Sequence, residues 1–73
     1  MYWFKKDQDK EKLLNGKTIA YCAEQIGVGR TYLSSILNHW RGCSKFVAYC
    51  ITKYFDNEKE IEDLFYDDRK NEQ

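Results

Sequence analysis

The stretch Ile19-Ala20-Tyr21-Cys22-Ala23-Glu24-Gln25-Ile26-Gly27-Val28-Gly29-Arg30-Thr31-Tyr32-Leu33-Ser34-Ser35-Ile36-Leu37-Asn38 carries apolar side chains at a helical period, loses that period at a glycine, and resumes it in a new phase. Ile19, Cys22, Ala23 and Ile26 stand at i, i+3, i+4 and i+7, and beyond Gly27 the residues Leu33, Ile36 and Leu37 restart the stripe. Two short helices hinged at one glycine, with buried faces meeting across a tight turn, make the pattern of a helix-turn-helix. Gly27 is expected to take a positive φ and end the first of them, and Ala23 is small enough to let the second cross close above it.

The flanking sequence supplies the rest of a helical bundle. A helix is expected from Asp7 to Leu14, with Asp7 and Asp9 near its positive end and Asn15-Gly16 as its stop. Thr18 is the expected N-cap of the second helix, which runs to about Gln25, and Val28 or Gly29 opens a third that ends at Asn38. Ser44 caps a fourth, whose apolar face is Val47, Cys50, Ile51, Tyr54 and Phe55; Asp56-Asn57 breaks it, and Ile61, Leu64 and Phe65 return a fifth to the core. Tyr2-Trp3-Phe4 reads as a lid on that core. The expected fold class is all-α: about five short helices around one core, which 73 residues suffice to build as a single domain.

Composition narrows the chemistry. No apolar run is long enough to span a bilayer, and no signal-peptide pattern opens the chain, so a soluble intracellular protein is expected, without membrane partners. Cys22, Cys43 and Cys50 are odd in number and form no CxxC pair, which favours reduced thiols over disulfides or zinc; no metal and no cofactor is expected. The single histidine belongs to no nucleophile motif, and no Gly-rich phosphate loop occurs, so no enzyme is expected.

Zero net charge argues at first against a polyanionic partner, but the charges are sorted along the chain. Residues 1–53 carry nine basic side chains against four acidic ones, and residues 54–73 carry three against eight. The basic part contains the two hinged helices. Burying Leu33, Ile36 and Leu37 turns Thr31, Ser35 and Asn38 outward, with Ser34 beside them and Arg30 and Tyr32 on the flanks. A small polar face with one arginine at its N-terminal end suits the major groove, where a guanidinium meets guanine O6 and N7 as a fork. Lys17, Arg41 and Lys45 lie at neighbouring helix ends, where phosphates would run; Tyr32 and His39 complete the expected phosphate set. Trp40 continues the period from Leu33 and is expected to be partly buried past the helix end.

With Ala23, Gly27-Val28, Arg30, Leu33-Ser34, Ile36 and Asn38 in this order and spacing, the chain resembles the helix-turn-helix domains of phage repressors and Cro-like regulators from about Lys17 to Phe65. The resemblance implies a lambda-repressor-like domain over residues 1–66, its motif at about 18–38, followed by a polar acidic tail over 67–73 that is expected to fray. It places Gly29, Arg30, Thr31, Ser34 and Ser35 at recognition positions. It also implies a double-stranded DNA operator as partner, a homodimer on that DNA, and residence in a bacterial cytoplasm. Two positions depart from the family pattern: Ile19 stands where a phosphate-binding glutamine is usual, and Asn38-His39 where the turn is usually Asn-Gly. Ile19 and the zero net charge favour an alternative, a modulator or antirepressor that binds another repressor protein through the third helix or the acidic C-terminal part. An excisionase-like DNA-bending factor would need the same basic face.

Overall fold

In the computed structural model, which describes residues 1–69, the chain forms β1 (Tyr2–Phe4), α1 (Lys10–Leu14), α2 (Ile19–Ile26), α3 (Arg30–Leu37), α4 (Lys45–Phe55), α5 (Ile61–Leu64) and β2 (Phe65–Asp67). Five helices surround one core, and a two-stranded antiparallel sheet joins the ends of the described chain. That sheet corrects the all-α expectation.

Caps set the helix limits. Asp9 is extended and accepts a hydrogen bond from the Glu11 N–H at 2.9 Å, so α1 begins at Lys10. The expected start at Asp7 fails because Lys5 to Gln8 is closed by its own turn, Gln8 N–H to Lys5 C=O. Thr18 and Ser44 accept from the N–H groups of Tyr21 and Val47 and start α2 and α4. Gly27 ends α2 at φ 98°, a left-handed conformation that most side chains resist, and its N–H closes on Ala23 C=O at 2.8 Å. Val28 donates to the same carbonyl, and the chain re-enters a helix at Arg30.

The core collects Leu14, Cys22, Ala23, Leu33, Ile36, Leu37, Ala48, Ile51, Ile61 and Leu64 from the helices, together with Cys43. Ile19 and Ile26 pack against this core only in part, so the α2 stripe is narrower than its period implies. On α4 the fully buried side chains are Ala48, Ile51 and Thr52, whereas Val47, Cys50, Tyr54 and Phe55 are half-buried. The acidic turn between α4 and α5 is stapled by Lys53, whose ammonium donates to the carbonyls of Asn57 and Lys59 and lies 3.7 Å from Glu60.

The sheet explains the aromatic N-terminus. Tyr2 pairs with Asp67, Trp3 with Tyr66 and Phe4 with Phe65. The period of two sends Tyr2 and Phe4 inward and leaves Trp3 half-buried. Phe65, expected on the fifth helix, instead opens β2 and meets the Phe4 ring edge-on at 5.7 Å. On its other side β1 exchanges both backbone hydrogen bonds with Cys43, at 2.8 Å each. A Cβ on Gly42 would stand 3.0 Å from the Trp3 indole, so any larger residue there would need that ring to give by a few tenths of an ångström. β2 extends through Asp67, one residue past the expected domain limit, and Asp68 accepts from the Trp3 indole N–H and the Met1 ammonium at 3.0 Å each. The remainder of the expected tail, 70–73, lies outside the described residues.

Candidate functional site

The expected base-facing residues sit on α3 and its flanks. Gly29 is the N-cap of α3, with an ordinary φ of −69° and no side chain to cap the helix, so the first N–H groups of α3 carry no side-chain acceptor. Arg30 and Thr31 are exposed, and Ser34 and Ser35 are half-buried. These four line one open depression of about 220 Å³, together with Ile19 from the start of α2 and Trp40 from beyond α3. Its lining holds one cation and no carboxylate. Among the described residues Arg30 forms no ion pair, which leaves its guanidinium donors open to a ligand.

Asn38 does not join them. Its amide Nδ2 donates to the Ser34 carbonyl and to Ser34 Oγ, at 2.9 and 3.2 Å, while its Oδ1 accepts from the Lys10 ammonium. Outward-facing by helical phase alone, the side chain is drawn back onto Ser34 and ties the end of α3 to α1. Asn38, expected to read bases, thus has both ends of its amide engaged within the fold.

His39 is likewise engaged within the fold. It adopts φ 65°, and its ring stacks on Phe4 at 5.5 Å and 23°. Nε2 stands 3.3 Å from the Lys5 carbonyl, which can only accept, so this nitrogen carries the proton. His39, expected to contact phosphate, thus locks the end of α3 to β1. Left-handed His39 also turns the chain back: its N–H closes on Ile36 C=O at 3.1 Å, and the Trp40 N–H closes on Ser35 C=O at 2.9 Å. These are the paired bonds of a Schellman motif, with histidine where glycine is usual. The motif holds Trp40 over Ser34 and Ser35, where it is 74 % exposed rather than partly buried in the core.

The expected phosphate residues fall into separate places. Arg41 is exposed and carries its guanidinium 4.5 Å over the half-buried Tyr32 ring, on the flank of α3. Tyr32 thereby supports a cation. Lys17, just before α2, reaches over the Tyr54 ring at 5.5 Å. Lys45 opens α4 but borders a different depression, with Met1, Tyr2, Cys43, Ser44 and Arg69.

Sequence reasoning missed two lining residues, Ile19 and Trp40. For Trp40 the available signal is the pair Asn38-His39, because histidine, like asparagine, tolerates the left-handed conformation that brings Trp40 back. All three cysteines are free; Cys22 and Cys43 are buried and Cys50 half-buried. Among the described residues no group of three or more His, Cys, Asp or Glu side chains is placed to hold a metal ion, and no helix is long and apolar enough to cross a membrane. Set against protein-family models, curated proteins and solved structures, the chain matches none.

Proposed function

We propose that this chain is a sequence-specific DNA-binding regulator, similar to Cro-like phage proteins, which lays α3 in the major groove as the second helix of a helix-turn-helix. The observation that carries this reading is the convergence of Arg30, Thr31, Ser34 and Ser35 on one depression without a carboxylate. A groove edge requires hydrogen-bonding side chains of small volume and one planar cation, and repels anions. The uncapped N-terminus of α3 and the neighbouring Arg41 add donors for phosphate oxygens.

The test compares two arginines on a selected duplex and on a scrambled one, across a salt titration. Wild-type affinity is expected to fall with a log–log salt slope of about −4, as four or five phosphate contacts require. Arg30→Ala is expected to cost about 1–3 kcal/mol on the selected duplex and to relax preference at one base pair. Arg41→Ala is expected to weaken both duplexes alike and to reduce the slope by about one. Absence of duplex binding at low salt would defeat the proposal.

A protein-binding modulator is the second reading, favoured by the exposure of Trp40 at 74 % and Phe46 at 73 %. Large exposed aromatics suit a protein partner such as another repressor. A repressor that binds the wild-type chain, but not Trp40→Ala or Phe46→Ala, in the absence of DNA would select it.

A further inference from the structure

Resting on the DNA-binding reading, we propose that the depression between α2 and α3 is a thymine site, in which Ile19 and Trp40 enclose the 5-methyl group and hydroxyls of α3 meet the adjacent O4. Its lining joins two chemistries. Ile19 and the Trp40 indole are apolar, whereas Thr31, Ser34 and Ser35 present hydroxyls and Arg30 a guanidinium. In the major groove only thymine offers an apolar group beside a carbonyl acceptor; cytosine and adenine present an amino donor, and guanine presents two acceptors without a methyl.

The fold positions the indole for this contact. Left-handed His39, locked by Phe4 and the Lys5 carbonyl, and the bond from Trp40 N–H to Ser35 C=O return the chain over α3. Without that reversal a residue three places past the helix would point away from it. Trp40 contributes nothing to the core and makes no side-chain hydrogen bond among the described residues. Its large apolar surface is thus held in place yet left open beside the groove-facing side chains. Arg30 lines the same depression, so the thymine lies next to the base pair that Arg30 reads.

The experiment begins with the full chain and a random duplex pool. Enriched duplexes are expected to share a thymine beside a guanine whose selection depends on Arg30. Each thymine is then replaced singly by deoxyuridine, which removes the methyl group and nothing else. One replacement is expected to weaken wild-type binding about fourfold, the value of one buried methyl-sized group. In Trp40→Ala and in Ile19→Ala the same replacement is expected to cost less than half as much, since the pair loses its coupling. Trp40 is exposed, so its alanine variant is expected to melt with the wild type, and the deoxyuridine series on wild-type protein needs no variant.

If duplexes enrich through Arg30 but no deoxyuridine substitution costs affinity, the thymine site is wrong and the DNA reading stands. A deoxyuridine cost that persists unchanged in both alanine variants also overturns it, by placing the methyl group elsewhere. If nothing enriches from the pool, the DNA reading fails and the thymine site fails with it.

Discussion

His39 shows how one side chain redirects its neighbours. A left-handed conformation costs a residue with a Cβ about 1–2 kcal/mol, and glycine almost nothing. Here the cost is offset by the stack on Phe4 and the hydrogen bond to Lys5 C=O. His39→Gly removes both the strain and the contacts, and is expected to stay within about 1 kcal/mol of wild type. His39→Ala keeps the strain and loses the contacts; it is expected to be about 1–2 kcal/mol less stable than the glycine variant. Chemical denaturation of the two variants checks the order, and an alanine variant equal to glycine would mean that the backbone there relaxes.

Among the elements, the β1–β2 pair is closed at one end by a charged contact. Asp68 accepts from the Met1 ammonium and from the Trp3 indole N–H, and these bonds hold its carboxyl below the usual aspartate range. A depressed carboxyl stabilises the fold in full above its ordinary pKa, near pH 4, and that contribution is lost as pH falls through the lower folded value. The indole N–H resonance of Trp3 is accordingly expected to shift with a midpoint below pH 4, and the shift is expected to vanish in Asp68→Asn. The Trp40 indole, which has no carboxylate partner among the described residues, is the internal control. A Trp3 midpoint at or above the ordinary range would contradict this pairing.

The whole molecule is a small core closed by its two described ends, since Phe4 and Phe65 pack on each other and on residues supplied by the helices. The buried thiols report on its integrity. Burial pushes the Cys43 thiol up to about 11, so it stays protonated and unreactive at neutral pH, and Cys22 is fully buried. A thiol reagent is expected to modify Cys50 in the native protein, and Cys22 and Cys43 only at the rate of opening of the core. Labelling of Cys43 at a rate near that of Cys50 would show that β1 leaves the core on its own. Truncation of β1 is expected to expose the end of α3 as well, since His39 rests on it.

The limits of α2 and α3 are legible in residues 18–38 because they depend on local interactions: Thr18 caps its own helix, Gly27 accepts its own left-handed turn, and Leu33, Ile36 and Leu37 share a face by helical geometry. The same geometry brings Arg30, Thr31, Ser34 and Ser35 to one surface. Long-range pairing lies beyond that reach. Phe65 continues an apolar helical period, yet it becomes a strand because Phe4, 61 positions earlier, offers it backbone partners. Helical phase turns Asn38 outward, but Lys10 and the end of α3 claim its amide. The place of Trp40 follows from a local turn at His39 together with the stack of His39 on a strand at the far end of the chain, and that second contact is one no local propensity encodes.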